Sequence, residues 1–201
     1  MPYSQFKTIT QAREAFDLKT LEGERFIPEV EPIAPSETLQ NYLSESFPLG
    51  ASTGSEKARS ELIISPVLVE VRRLLNRQIS VFSGEEFNVD AEVGLNGICD
   101  FLISRSSKLL EIEVPVVMLT EAKKADLKTG LGQCVAEMVA AQRFNQAKAQ
   151  PIQSVYGCVT SGTQWRFLKL HGQTVTIDLT DYSLPPVEQI LGFLLWMIQA
   201  G

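Results

Sequence analysis

A short apolar run that ends in charged residues constrains this chain more than any other feature. Residues 116–119 read Val-Val-Met-Leu, which is typical of a buried β-strand, and they lead through Thr120 into Glu121, Ala122 and Lys123. Because side chains alternate across a strand, we predict that Glu121 and Lys123 share one face, with Ala122 opposite. A carboxylate and an amine at the end of so apolar a strand are costly unless something satisfies them. We therefore look for functional chemistry here first.

A second predicted strand, over residues 97–103, carries an acid in apolar surroundings, Asp100. Two carboxylates from neighbouring strands and one main-chain carbonyl, that of Ala122, suit a hard cation such as Mg²⁺ or Mn²⁺. With Lys123 beside them, they are the equipment of metal-assisted phosphodiester hydrolysis. The same spacing also fits a plainer interpretation, in which Glu121 and Lys123 pair at an exposed strand end and Asp100 caps a turn.

Several other kinds of site are disfavoured by the residues present. The chain of 201 residues contains one histidine, His171, in a predicted hairpin turn, so any histidine-based nucleophilic or zinc site would depend on it. Gly130 and Gly132 lack the context of a dinucleotide fingerprint, and no phosphate-binding loop motif is present. Three cysteines without metal-ligand spacing predict reduced, buried thiols, and hence a cytoplasmic protein. Residues 190–198 form an apolar run too short to span a membrane, so we expect no membrane partner.

The negative charge is concentrated at the start of the chain. The net charge is −6. Residues 1–50 hold eight acids against four bases (−4), and residues 51–201 hold sixteen against fourteen (−2). The electrostatic objection to a nucleic-acid partner therefore falls mainly on the first segment. We predict an acidic arm over residues 1–54, packed on or extending from the body and able to bind a partner protein, and a domain over residues 55–201. Four prolines (Pro28, Pro32, Pro35, Pro48) predict no long regular element in the arm.

The remaining pattern predicts helices and strands in alternation. A helix is expected from about Ser55, its N-cap, to Asn76, with a kink or restart at Pro66. A second helix is expected from Asp126 to about residue 146, and a third ends near Ala200. With the strands between them, this order predicts an α/β protein (of the α+β type) with a central mixed β-sheet flanked by helices on both sides.

Four stretches resemble the PD-(D/E)xK nuclease superfamily, the restriction endonuclease-like fold, and in particular restriction-enzyme nuclease domains and their small standalone relatives. Residues 55–68 (SEKARSELIISPVL) are similar to its helical motif, residues 97–103 (GICDFLI) to its aspartate strand, and residues 119–124 (LTEAKK) to its ExK strand. Gln133 lies in the following helix, and residues 156–167 are a weaker echo. The chain departs from the pattern at Cys99, where proline is frequent, and at Glu137, where some relatives have tyrosine. Glu61 competes with Glu56 as the helix acid.

The resemblance implies a restriction endonuclease-like core and a DNA endonuclease of a restriction or mobile-element system. By it, Asp100 and Glu121 would bind Mg²⁺ with the Ala122 carbonyl, and Lys123 would activate the attacking water. Glu56 would support a second metal or its water, and Gln133 would position a phosphate or the lysine. Four bases are candidates for phosphate contacts: Lys124, Lys128, Arg143 and Arg166.

Two alternatives remain open from the sequence. The chain could be a catalytically inactive binding or assembly module that kept the fold, or a hydrolase that acts on a small phosphoester. Double-strand cleavage would favour a homodimer, but no dimer surface is evident in the sequence.

Overall fold

A mixed eight-stranded β-sheet forms the centre of the computed structural model, which describes residues 2–201. Seven strands lie in the order β1-β7-β6-β5-β4-β3-β2, and β8 pairs with β6. Only the β1–β7 and β4–β5 pairs among these residues are parallel. The strands are β1 (Lys19–Glu22), β2 (Ser80–Glu86), β3 (Ile98–Ser104), β4 (Val116–Ala122), β5 (Val155–Thr160), β6 (Gln164–His171), β7 (Thr174–Ile177) and β8 (Tyr182–Ser183).

Helices cover both faces of this sheet, which confirms the predicted architecture of a mixed sheet between helical layers. Helices α1 and α5 pack on one face, and α2, α4 and α6 on the other. Each face has its own apolar core because side chains alternate along the strands. The helices are α1 (Ile9–Ala15), α2 (Glu37–Ser52), α3 (Glu56–Arg59), α4 (Ser65–Leu74), α5 (Leu131–Ala147) and α6 (Val187–Ala200).

The segment before Ser55 contributes to the sheet and to both cores. Strand β1 pairs in parallel with β7, and the buried side chains of Tyr3, Phe6 and Phe16 belong to the core beneath α5. Helix α2 packs on the opposite face. The expectation that prolines exclude a long element here was wrong, since α2 is 16 residues long and contains Pro48. This proline is exposed, so water can satisfy the carbonyl that loses its helical partner.

A π-helical turn joins α3 to α4, so that residues 56–74 form one continuous helical segment. Ser55 caps its start as predicted, since its side chain accepts a hydrogen bond from the Ala58 amide. The restart predicted at Pro66 corresponds to the start of α4, which follows the π-helical turn and has Pro66 in its first two positions. The ring of Pro66 removes the amide that would bond the Leu62 carbonyl, and the buried Ser46 hydroxyl of α2 donates to that carbonyl instead, at 2.8 Å.

Two further expectations concern the thiols and the membrane. Cys99, Cys134 and Cys158 are buried, and none forms a disulfide within residues 2–201. Over the same residues, no helix combines the length and the apolar character that crossing a membrane requires.

Candidate functional site

The site predicted from the sequence lies where strands β3 and β4 separate. Their pairing runs from Ser104–Val116 to Phe101–Thr120 and stops there, although β3 continues to pair with β2 as far as Ile98. Beyond the last pair, the Asp100 Oδ2 atom accepts a hydrogen bond from the Ala122 amide at 2.8 Å. The amide and carbonyl of one strand residue point to the same side. The Ala122 carbonyl therefore faces the same gap as the Asp100 carboxylate.

Glu121 and Lys123 lie on the face of β4 that α5 covers, and Ala122 belongs to the opposite core, so the predicted alternation is confirmed. Only 1 % of the Glu121 surface is exposed. One of its carboxylate oxygens contacts the Lys123 ammonium. The other accepts a hydrogen bond from the Gln133 amide of α5 at 2.9 Å. Both oxygens of this buried carboxylate are thus satisfied by charged or polar groups.

Helix α5 is held on β4 at two points, and one of them is Gln133. The other is Asn145, whose buried side-chain amide accepts from the Val116 amide and donates to the Val116 carbonyl, both at 2.8 Å. The two helix residues lie about 18 Å apart along the axis at 1.5 Å per residue. Val116 and Glu121 lie about 17 Å apart along the strand. This match places Gln133 over Glu121 when Asn145 binds the start of β4.

Of the two helix acids that the sequence left in competition, Glu56 is the one at the site. Its Oε1 atom accepts a hydrogen bond from the Lys124 amide at 3.1 Å, directly after the ExK residues. Glu61 instead forms an exposed ion pair with Lys57 at 2.6 Å. The first turn of the 56–74 segment is therefore joined to the end of β4.

Burial raises the pKa of two carboxyl groups at the site, Asp100 and Glu121. Burial, followed by the charge of Asp100, raises the pKa of Glu121 to about 8. Burial also raises the pKa of Asp100, although the Ala122 hydrogen bond and Lys123 oppose the change. Burial lowers the pKa of Lys123, but the neighbouring carboxylates, Glu121 first, outweigh it and raise this pKa overall. The Lys123 ammonium therefore keeps its proton beside the carboxyl groups of Glu121 and Asp100.

Glu137 is a second buried acid behind Glu121, and the sequence did not indicate its burial. It lies one turn after Gln133 on α5, and its Oε1 atom accepts from the same Gln133 amide nitrogen at 3.1 Å. The side chain is fully buried, and within residues 2–201 its Oε2 atom has no hydrogen-bond partner. Burial raises the pKa of Glu137 well above its ordinary value. The only sequence signal was its spacing of four from Gln133.

The point where β3 and β4 separate, beyond the Phe101–Thr120 pair, is called the fork here. The oxygen ligands at the fork suit a hard divalent cation. Asp100, Glu121 and the Ala122 carbonyl supply oxygen atoms, and the carboxyl groups outnumber the one ammonium among them. Burial is the main reason why the pKa of Glu121 is raised, and the negative charge of Asp100 adds to it. A cation between these carboxyl groups would relieve their excess of negative charge. In residues 2–201, however, no three or more His, Cys, Asp or Glu side chains are already gathered as ligands.

Of the four bases predicted to contact phosphates, two are exposed near the site and two form ion pairs with aspartates. Lys124 and Lys128 are exposed near the end of β4 and the start of α5. Arg143 pairs with Asp90 at 3.0 Å and stacks on Phe16, about 15 Å along α5 from Gln133. Arg166 pairs with Asp181 through two hydrogen bonds of 2.8 and 3.0 Å.

His171, the one histidine, lies at the far end of β6, where its ring nitrogen is 3.3 Å from the Ser154 hydroxyl. Its position excludes it from the chemistry at the fork.

No protein-family model matches this sequence, and no curated protein is significantly similar to it.

Proposed function

We propose that this protein is a metal-dependent DNA endonuclease with a restriction endonuclease-like core, acting in a restriction or mobile-element system. The observation that carries the proposal is the fork between β3 and β4. It brings together the Asp100 carboxylate, the Ala122 carbonyl and the Glu121–Lys123 pair at the point where these two interior strands separate. The resemblance noted in the sequence assigns catalytic roles to the same three side chains, Asp100, Glu121 and Lys123.

The residues at the fork would have distinct roles. Asp100, Glu121 and the Ala122 carbonyl would hold Mg²⁺ or Mn²⁺, which supplies charge stabilisation at a phosphoryl oxygen and lowers the pKa of water. Lys123 stays protonated beside the carboxylates, so it would orient the attacking water and stabilise the negative charge that develops on the phosphorus oxygens. Gln133 would hold Glu121 in place, and Glu56 would fix the backbone after Lys123.

Cleavage of DNA in the presence of Mg²⁺ or Mn²⁺ tests this proposal. Plasmid, linear duplex and single-stranded DNA are incubated with the protein and with the variants Asp100→Asn and Lys123→Met. We expect each variant to lose at least a hundredfold in rate, because each removes a charge that acts at the reacting phosphate. Glu61→Gln is the matched control, since Glu61 belongs to the same helical segment but forms only an exposed ion pair. Variants as active as the parent protein would refute the mechanism.

One observation favours a second candidate, an inactive binding or assembly module. Lys123 and Gln133 already satisfy both carboxylate oxygens of Glu121, as they would in a purely structural network. Calorimetric titration with Mn²⁺ separates the two. An active site should bind Mn²⁺ more tightly as the pH rises from 6 towards 8, because the ligand Glu121 must lose its proton. Binding absent at every pH, or unchanged in Glu121→Gln, would support the inactive module.

The third alternative, a hydrolase of small phosphoesters, is tested in the same assay. Turnover of a generic phosphodiester or a nucleotide would then exceed that of DNA, and both would depend on Asp100.

A further inference from the structure

A groove of about 400 Å³ opens beside the candidate site on the α5 face of the sheet. Its floor is apolar and contains Leu179, which is half exposed. Hydroxyl and charged groups stand at its rim. The lining residues are Lys7, Thr8, Ile9, Glu22, Lys128, Thr129, Leu131, Arg166, Ile177 and Leu179.

The groove and the site are connected by one row of paired residues that runs across strands β4, β5 and β6. In register, Glu121 of β4 lies opposite Val159 of β5, and Val159 lies opposite Arg166 of β6. Adjacent strands are about 4.8 Å apart, so the backbones at Glu121 and Arg166 are separated by about 10 Å. The site is at one end of this row, and the groove is at the other.

A single turn of the chain lies between the site and the groove and contacts both of them. It is the 3₁₀ turn Leu127–Gly130, which Asp126 caps through the Lys128 amide. Gly130 sits directly above the row, since a Cβ added to it would lie 2.7 Å from Val159 Cγ1 and 3.1 Å from Lys123 Cε. Lys128 and Thr129 of the same turn line the groove. An extended ligand that crosses this turn would reach Lys123 and the groove together.

The rim of the groove has free positive charge. The ammonium groups of Lys7 and Lys128 form no ion pair with any residue that the structure describes, namely 2–201. Arg166 is already neutralised by Asp181, and Glu22 is the one carboxylate in the lining. Lys7 adjoins the start of α5, because the Thr8 carbonyl packs against Gly132. The positive end of that 17-residue helix therefore adds to the lysines.

We infer that this groove binds an unpaired nucleotide of a single-stranded DNA segment that continues into the site at Lys123. The inference rests on the proposed function, and it names the form of the substrate. Lys7 and Lys128 contact the backbone phosphates, and the apolar floor contacts the face of the base. Glu22 accepts from an exocyclic amine of the base, as carboxylates do with cytosine. A base within a duplex is stacked and paired, so it cannot enter.

Binding is tested without metal, so that no cleavage is required. Fluorescence anisotropy is measured with a labelled single-stranded oligonucleotide and with its duplex, in EDTA and over a range of salt concentrations. We expect the single strand to bind at least tenfold more tightly than the duplex. The double variant Lys7→Gln/Lys128→Gln should lower the salt slope by about 1.4, since each phosphate contact on a single strand contributes about 0.7. Leu179→Asp should weaken binding at every salt concentration.

Lys148→Gln is the matched control, because Lys148 follows the opposite end of α5 and is exposed. Duplex binding as tight as single-strand binding, or a salt slope changed equally by Lys148→Gln, would overturn the inference. Asp100→Asn separates the two proposals, since it should keep the preference for the single strand over the duplex but fail to cleave it. Binding without cleavage in the parent protein would reject the nuclease and keep the groove. Cleavage by the parent protein, with no effect of the groove variants on binding, would reject the groove and keep the nuclease.

Discussion

Two buried carboxyl groups that share one amide set the electrostatic character of the site. Gln133 donates one hydrogen bond to Glu121 and one to Glu137, so a single side chain joins an acid at the fork to an acid in the core. Burial of an acid disfavours its charged form, and Lys123 forms an ion pair with Glu121 but, among residues 2–201, none with Glu137. Burial therefore favours the protonated form of Glu137, whose pKa is raised well above its ordinary value.

This protonation gives a pH-dependent stability that Glu137→Gln should remove. An acid whose pKa is raised on folding contributes stability that is complete below its unfolded pKa, near 4.5, and is lost as the pH rises towards its folded pKa. Glutamine does not titrate and can still accept from Gln133. The free energy of unfolding of Glu137→Gln, relative to the parent protein, should therefore rise between pH 4.5 and pH 8.5. Urea denaturation across this range measures it.

A difference between the two proteins that stays constant with pH would contradict this assignment. Glu14→Gln serves as the control, because its side chain is 70 % exposed. Such surface changes usually alter stability by no more than about 0.5 kcal/mol.

At the scale of elements, the helical segment 56–74 shows how a proline is accommodated without breaking a helix. The π turn Ser60–Ile64 precedes Pro66, and the Ser46 hydroxyl supplies the donor that proline lacks. Helix α2 comes close enough to do this because Gly50 lies against Ile63, where a Cβ would approach to 3.0 Å. The contact fixes α2 on the same segment that carries Glu56 to the site.

We predict that Ser46→Ala destabilises the protein by about 1–3 kcal/mol, since it removes the hydroxyl that donates to the partly buried Leu62 carbonyl. The cost should be smaller in a Pro66→Ala background, where residue 66 regains an amide. A double-mutant cycle by chemical denaturation measures this coupling. Ser44→Ala is the control, because the Ser44 hydroxyl bonds the Asn41 carbonyl on the exposed side of α2. Equal costs of Ser46→Ala in the two backgrounds would disprove the compensation.

The elements that position the site could be predicted where the hydrophobic pattern of the local sequence matches the burial of its residues in the structure. The apolar run of β4 and the interruption of β3 by Asp100 placed two acids on neighbouring strands, and helical spacing placed Gln133 and Glu137 on one stripe. The burial of Glu137 could not be predicted, because it depends on what covers α5. Eleven residues of α5 are buried around most of its circumference, so its sequence lacks a clear polar face.

At the scale of the whole molecule, the strand within the first 54 residues could not be predicted, because its partner is distant in sequence. Strand β1 reads Lys-Thr-Leu-Glu, which has no apolar alternation, and its partner β7 begins at Thr174. Edge strands are commonly short and charged, so their sequences carry little strand signal. The acidic composition that suggested an arm belongs largely to the exposed residues of elements whose other side chains are buried.

If this segment is part of the common core, a cavity made in it should destabilise the entire fold. Phe16 contacts Phe6 and the Arg143 guanidinium in the core beneath α5, and only 8 % of it is exposed. We expect Phe16→Ala to cost about 3–5 kcal/mol, as Phe167→Ala in the opposite core should. Both variants should unfold in one transition, with tryptophan fluorescence and far-ultraviolet circular dichroism coinciding. Leu21→Ala, at a half-exposed position of β1, should cost far less. A Phe16→Ala variant that loses only a minor early transition would show instead that residues 1–54 unfold as a separate arm.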